Sequence, residues 1–151
     1  MSLNEEVDLL RKIPLFAKID PSKLKLLAFT SERLNYADDQ ILFHQGDTGD
    51  AAYIIINGFA SVLIDTPGGQ VEVAQLGKGD VVGEIAILCD VPRTATVQAK
   101  ESLVTLKISK DTFFKLVNDV PQIAVEIMRE LASRLESTNT KLREALSGGT
   151  V

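Results

Sequence analysis

The sequence predicts an α+β fold: an antiparallel β-roll, or jelly-roll barrel, flanked by N-terminal helices and a long C-terminal helix. Helical periodicity of apolar residues occupies both ends of the chain. Short apolar runs separated by turn residues fill the middle, from about residue 33 to about residue 108. Many short strands with glycines at their corners are typical of a small barrel or a double-sheet roll.

Length and charge narrow the class of protein. The chain has 151 residues, which suits one domain over residues 1–151, and its 45% hydrophobic and 25% charged content is ordinary for a globular protein. Its formal net charge is −5. A free-standing nucleic-acid-binding protein normally presents a basic face, so we expect no direct nucleic-acid binding by this chain. One local arginine can still hold an anion.

Three features bear on the compartment. The single cysteine, Cys89, excludes an intrachain disulfide. Residues 1–6 lack the basic and apolar regions of a signal peptide, and no apolar run approaches the length of a membrane span. We therefore expect a cytoplasmic protein without a membrane partner. Because no basic residue adjoins Cys89 to activate its thiol, we expect it to be a small buried filler.

The first 30 or so residues predict two helices. Asn4 can cap a short amphipathic helix that carries Val7 and Leu10. A proline in the segment 13–16 interrupts it. A second helix is expected at Asp20-Pro21, where an acidic cap precedes proline at the first helical position.

The central strands are predicted from apolar runs between turn signals. Asn57-Gly58 is the strongest short hairpin signal in the chain, and it separates the apolar runs 52–56 and 59–65. We therefore expect a hairpin at these two residues. The remaining predicted strands are 40–44, 71–76, 94–99 and 103–108.

The chain is expected to end in helices over about residues 110–146. Ser109 can cap the first of them, and Pro121 starts the second, longer one. Part of the long helix repeats apolar positions at the alternating spacing of a coiled-coil seam. The seam residues are Met128, Leu131, Leu135, Thr138, Leu142 and Ala145. This pattern predicts a homodimer through the C-terminal helix, with packing against the roll as the alternative.

The segment Gly83–Val97 carries the candidate site. Gly83 lets the backbone approach a ligand closely, and the helical turn after it exposes unpaired amide N–H groups that attract an anion. Arg93 can place a planar, permanently charged fork on phosphate oxygens. Glu84 would repel a phosphate, but it can accept a hydrogen bond from a hydroxyl beside it, such as a ribose 2′-OH.

This segment resembles the phosphate-binding cassette of the cyclic nucleotide-binding domain family. The resemblance covers about residues 13–142 and includes the order of helix, roll, cassette, strands and long helix. It implies a regulatory domain that binds a cyclic nucleotide in the roll and repositions its C-terminal helix, with no catalytic residue and no cofactor. The cassette residues that it assigns to the ligand are Gly83, Glu84, Ile85, Ala86, Arg93 and Thr94.

The resemblance also implies a role for each of these residues. Glu84 is expected to bind the ribose 2′-OH, and the amides of Ile85 and Ala86 are expected to face the cyclic phosphate. Arg93 matches the phosphate arginine, and Thr94 matches a neighbouring position that helps to hold the phosphate. By spacing on the C-terminal helix, a polar pair that reads the base falls on Thr138 and Asn139.

The identity of the nucleotide is left open at this point. Similarity to bacterial sensors favours cAMP. The hydroxyl of Thr94 can also pair with the 2-amino group of a guanine in the syn orientation, so cGMP is an alternative. A different cyclic nucleotide is a third option.

Other functions remain to be weighed. The same fold without a ligand would serve as a structural dimerisation module. Bacterial members of the family that this chain resembles continue into a helix-turn-helix domain, so an alternative is the sensor half of a transcription regulator whose DNA-binding domain is absent here. Hydrolysis of a cyclic phosphate needs metal ligands or a general base. With His44 as the single histidine and no carboxylate cluster, we expect neither an enzyme nor a metal site.

Overall fold

The computed structural model describes residues 3–13 and 16–149. Helix α1 spans Leu3–Arg11 and helix α2 spans Pro21–Thr30, as the apolar spacing predicts. The expected caps differ, because Asn4 lies inside α1 and Asp20 precedes α2 without a side-chain hydrogen bond to it. The proline break expected between the two helices falls partly on residues 14 and 15, which lie outside the described part of the chain.

Six antiparallel strands follow, which confirms the predicted fold class. The sheet order is β1-β6-β3-β4; β2 pairs with β6, and β5 pairs with β3. The strands are β1 (Glu32–Tyr36), β2 (Ile41–Phe43), β3 (Ala51–Thr66), β4 (Gly69–Leu76), β5 (Val81–Val82) and β6 (Thr96–Ser109). The long strands β3 and β6 pair along most of their lengths and form the centre of the roll.

The hairpin predicted at Asn57-Gly58 is wrong. Strand β3 continues through both residues: Asn57 pairs with Val104 of β6, with register shifts between Ile55 and Asn57 and between Asn57 and Phe59. Gly58 has φ +92°, and a Cβ there would collide with the carbonyl oxygen of Ser102. The glycine therefore serves a bulge rather than a turn, because pairing with a distant strand overrides the local hairpin preference.

Long-range strand pairing also removes a predicted boundary between two strands near the end of the roll. The runs 94–99 and 103–108, predicted as two strands, form the single strand β6, which passes through Glu101 at φ +58°. The reversal after β3 lies instead at the turn that leads into β4, where Thr66 Oγ1 donates to the carbonyl of Gly69 at 2.6 Å.

Two helices close the chain. Helix α4 spans Lys110–Asp119, and the Ser109 side chain accepts a hydrogen bond from the amide of Thr112 at 3.3 Å, as its predicted capping role requires. Helix α5 spans Pro121–Gly149, past the end expected near residue 146. Glycine has weak helix propensity, so the sequence alone ends this helix too early.

Two apolar clusters hold these elements together. One lies between the helices and the roll, and the other fills the roll; the latter includes Tyr53, Ile55, Val97 and Leu103. Helix α5 buries Ile123 and Ile127 in the first cluster, whereas most of its later residues are exposed. Within the described residues, no helix combines the length and apolar character that crossing a bilayer requires.

Candidate functional site

A small cavity lies where the short helix α3 (Glu84–Cys89) meets the roll and α5. Its volume is about 80 Å³. Its walls combine the predicted cassette with apolar residues of the strands and one residue of α5. The lining residues are Phe43, Val62, Leu76, Val82, Gly83, Glu84, Ile85, Ala86, Arg93, Thr94, Ala95, Val97 and Arg134. The structure thus brings together all six cassette residues that the sequence predicts.

Gly83 sets the direction of α3. It precedes the helix at φ +84°, a conformation that favours glycine. A Cβ at Gly83 would collide with Nη1 of Arg93, so the absence of a side chain also makes room for the guanidinium. Ile85 and Ala86 follow in the first turn of α3, where amide N–H groups have no carbonyl partner within the helix.

The guanidinium of Arg93 is buried and tightly held. Only 4% of the residue is exposed. Its Nη1 donates to the carbonyl of Gly83 and its Nη2 to the carbonyl of Ala51, each at 2.7 Å. Its Cζ lies 4.0 Å from the centroid of the Phe43 ring. Arg93 Nε is buried and has no hydrogen-bond partner.

Arg93 also lacks a counter-ion. Among residues 3–13 and 16–149, no carboxylate oxygen lies within 4.0 Å of its guanidinium nitrogens. Burial lowers the pKa of Arg93, but an arginine remains charged in proteins. The carboxylates of Asp47, Asp50 and Glu84 act on its charge only at longer range. A buried cation with no direct ion-pair partner and an unused N–H donor is able to bind an anion.

Sequence reasoning missed Gly49, although it packs against this arginine. A Cβ at Gly49 would lie 2.5 Å from the Cβ of Ala86 and 3.3 Å from both Cζ and Nε of Arg93. Gly49 therefore lets the loop after β2 close onto α3 and the guanidinium together. The available signal was a second glycine three positions after Gly46, but nothing local distinguishes it from a turn glycine.

Glu84 is buried as well, with 3% of the residue exposed. Its Oε1 accepts a hydrogen bond from Nη1 of Arg134 at 3.1 Å, an ion pair that joins α3 to α5. Desolvation raises the pKa of Glu84, and the positive charge of Arg134 offsets part of that rise.

Arg134 is the second residue that sequence reasoning missed. Besides Glu84, its guanidinium contacts the carbonyl of Val81 at 3.1 Å and the carboxylate of Glu130, one helical turn earlier, at 2.7 Å. Burial raises the pKa of Glu130, and the neighbouring Asp80 adds to that rise. Arg134 therefore connects the exposed part of α5 to the roll.

The predicted base-reading pair lies outside this cavity. Thr138 and Asn139 are exposed, and Thr138 Oγ1 donates to the carbonyl of Arg134 at 2.9 Å. Neither residue lines the cavity in this arrangement of α5. Their role in base recognition stays a prediction.

Cys89 does not fill the core as expected. It is exposed at the end of α3, next to Asp90, which adopts the left-handed conformation at φ +52°. The side chain of Cys89 is therefore open to solvent rather than part of the packed interior. In the described part of the chain, no group of three or more His, Cys, Asp or Glu side chains is arranged to hold a metal ion.

Comparison with known proteins identifies the family. The profile of the family described as Cyclic nucleotide-binding domain matches residues 33–119. A cAMP-dependent protein kinase regulatory subunit of Blastocladiella emersonii is 36% identical over 115 residues, which are 76% of this chain and 28% of that protein. An NTE-family protein of Mycobacterium tuberculosis is 32% identical over 130 residues, which are 85% of this chain and 22% of that protein.

A solved structure agrees with these sequence matches. The crystal structure of the Thermus thermophilus catabolite activator protein superposes with a TM-score of 0.75 at 28% identity, covering 85% of this chain and 61% of that one. The chain thus spans about a quarter of the length of the curated relatives named above. From the matched segment, the buried arginine and the glycine-led helix, we conclude that the chain belongs to the cyclic nucleotide-binding domain family.

Proposed function

We propose that this chain is a regulatory module that binds cAMP in the cavity beside α3 and transmits binding through the position of α5. The observation that carries the proposal is Arg93: a buried cation with no carboxylate within 4.0 Å and with an unpartnered Nε–H. A cyclic phosphate carries one negative charge and two exocyclic oxygens. It satisfies both the charge and the open donor of Arg93.

The neighbouring groups suit the rest of such a ligand. Ile85, Ala86 and Thr94 line the same cavity, so their backbone amides and the Thr94 hydroxyl are candidate donors for the phosphate. The carboxylate of Glu84 accepts from the ribose 2′-OH. A carboxylate has about four lone-pair positions, so the bond from Arg134 leaves capacity for a hydroxyl. The strand residues Val62 and Val97 supply an apolar wall for the sugar and base.

The size of the cavity supports movement of α5. A volume of about 80 Å³ is well below the roughly 300–1,000 Å³ of ordinary ligand pockets. Arg134 reaches into this space from α5, so a nucleotide requires that side chain to withdraw or rotate. A ligand shifts the two positions of α5 only by its difference in affinity for them, and coupling of about 1–3 kcal/mol is typical.

The preference for cAMP over cGMP rests on likeness to relatives. The regulatory subunit from Blastocladiella emersonii is named for dependence on cAMP, and it is 36% identical over the matched segment. Thr94 at the edge of the cavity leaves cGMP as the alternative ligand, because its hydroxyl can pair with the guanine 2-amino group.

Calorimetric titration tests this proposal. The protein is titrated with cAMP, with cGMP and, as a control that lacks the cyclic phosphate, with 5′-AMP. We expect cAMP to bind most tightly, 5′-AMP to bind at least tenfold more weakly, and the cAMP recovered afterwards to be unchanged, as for a sensor rather than an enzyme. A folded protein that binds no cyclic nucleotide at millimolar concentration would instead support the structural-module alternative.

We further propose that the chain forms a homodimer through α5. Among the described residues of this helix, four large apolar side chains are more than half exposed: Met128 (60%), Leu135 (62%), Leu142 (57%) and Leu146 (63%). The first three belong to the seam identified in the sequence, and a second copy would cover them in a coiled coil. Dimerisation would place the α5 helices of both copies where a nucleotide in either one could shift them.

A further inference from the structure

Phe43 lies against the phosphate-binding arginine, in a position to which neither the cassette pattern nor the family resemblance gives a role. The ring sits at the end of β2, lines the cavity, and has its centroid 4.0 Å from Cζ of Arg93. Tyr53 is the next aromatic ring from this guanidinium, at 6.0 Å. An arginine over an aromatic face at 4.0 Å is within the range of a cation–π interaction.

Two carbonyl groups and one aromatic ring together fix the orientation of the Arg93 guanidinium. The carbonyls of Gly83 and Ala51 each bind one terminal nitrogen and so fix two directions within the guanidinium plane. The ring of Phe43 restrains the tilt of that plane. A guanidinium has five N–H donors, and these two bonds leave three of them, including the unpartnered Nε–H, for an anion.

Because the Phe43 ring is uncharged, it can restrain Arg93 without competing with an anion for the guanidinium. A carboxylate at the position of Phe43 would neutralise Arg93 and compete with a phosphate for it. An aromatic face attracts the cation through its quadrupole without carrying a charge of its own. The guanidinium is thereby held in place without a direct ion pair, so its charge stays available to the ligand.

The surrounding structure fixes Phe43 itself. The pairing of β2 with β6 shifts register between Ile41 and Phe43, an irregularity that re-aims a side chain next to a site. The ring packs at 5.8 Å from Tyr53, and a Cβ at Gly83 would lie 3.3 Å from Phe43 Cε2. The ring is therefore confined between β3 and the start of α3.

We propose that Phe43 is a positioning residue of the nucleotide site: its ring holds the Arg93 guanidinium in the orientation that receives the cyclic phosphate. This inference rests on the proposed function and adds a determinant of affinity to it. Without the ring, the guanidinium samples other orientations, and the fraction ready for the ligand falls, which weakens the apparent affinity by the same factor.

The test replaces Phe43 by phenylalanines with one, two and three ring fluorines, introduced at this position alone, together with Phe43→Leu. Fluorines preserve the shape of the ring and progressively remove its negative face. Binding of cAMP is measured by calorimetry. We expect affinity to fall stepwise along the series and to be about two- to thirtyfold weaker in the leucine variant, the range that cation–π energies correspond to. The matched control is Phe59→Leu, which changes an exposed phenylalanine of β3 outside the cavity.

A second measurement does not depend on the nucleotide. In ¹⁵N NMR spectra, the Nε–H signal of Arg93 should show a ring-current shift that is lost in Phe43→Leu and kept in Phe59→Leu. Two results would overturn the role of Phe43: equal cAMP affinity along the fluorine series, or an Arg93 Nε–H chemical shift that is the same in Phe43→Leu as in the native protein. If the native protein binds no cyclic nucleotide while the ring-current shift is present, the proposed function fails and the stacking stands only as a structural contact, which also overturns the positioning role.

Discussion

The carboxylate of Glu84 and the guanidinium of Arg134 lie 3.1 Å apart although fifty residues separate them in the chain. Glu84 belongs to the helix that would hold the nucleotide, and Arg134 belongs to the helix that would report its presence. Arg134 also donates a hydrogen bond to the carbonyl of Val81 at 3.1 Å, so its guanidinium joins α5 to both α3 and β5. This pair therefore joins the candidate site and α5 in one electrostatic unit.

Arg134→Ala should release the exposed part of α5. Loss of one partner from a fully buried ion pair costs about 3–5 kcal/mol; because Arg134 is partly exposed, we expect about 1–2 kcal/mol. Hydrogen exchange should accelerate around Val81 and along α5 near residue 134. The control is Arg129→Ala on the same helix, which removes only an exposed pair with Glu126. Equal exchange rates in both variants would contradict the account.

The contribution of Glu84 and Glu130 to the stability of the protein should fall as the pH rises above about 4.5. Burial raises the native pKa values of Glu84 and Glu130 above their ordinary value of 4.5. The native state then binds more protons than the unfolded state between the ordinary and the raised values, so the free energy of unfolding declines through that window as these carboxyls ionise.

Thermal melts over a pH series check this linkage. Glu84→Gln should flatten the decline, because the amide does not ionise, whereas the exposed Glu136→Gln on α5 should leave the slope unchanged. A slope unaffected by Glu84→Gln would show that this carboxyl is not the source of the pH dependence.

Gly49→Ala should both destabilise the fold and weaken ligand binding. Its new Cβ would lie 2.5 Å from the Cβ of Ala86, so the loop or α3 has to shift, and overpacking of this kind costs about 1–3 kcal/mol. Urea denaturation measures the loss. Gly68→Ala is the control, since the nearest atom to its Cβ would be Thr66 Oγ1 at 3.9 Å. Equal urea midpoints for the two variants would mean that Gly49 makes no close contact.

Leu135→Glu should disrupt the proposed dimer. The substitution places a charge at a seam position of α5 that is 62% exposed in the single chain, so it should not unfold the protein. Sedimentation equilibrium should give the dimer mass for the native chain and the monomer mass for the variant. Ala132→Glu adds the same charge at an exposed position off the seam and should remain dimeric. A native chain that sediments as a monomer would reject the dimer.

Local sequence signals predicted most of the fold and the residues at the centre of the candidate site. The cassette could be predicted because Gly83, Glu84 and Arg93 lie close in sequence and have distinct chemical roles. The strand boundaries at Asn57-Gly58 could not, since the pairing of β3 with β6 decides them. The residues that contact Arg93 and Glu84 from distant segments could not be predicted either, because their contacts form only when the elements pack.

Three residues illustrate this limit. Phe43 contacts Arg93 across fifty positions, and Arg134 contacts Glu84 across the same separation. In its own segment, Phe43 looks like an ordinary apolar strand residue, and Arg134 looks like an ordinary arginine on a helix surface. Gly49 looks like a turn glycine until Ala86 is placed beside it. Their roles arise only when the elements pack.

The central claim is that Arg93 holds the cyclic phosphate, and calorimetric titration of Arg93→Met with cAMP tests it most directly. Removal of one partner of a buried charge pair costs about 2–5 kcal/mol, so the affinity should fall by roughly 30-fold or more. Arg143→Met, which changes an exposed arginine of α5, should bind as the native protein does. A folded Arg93→Met protein that binds cAMP as tightly as the native chain would contradict the account.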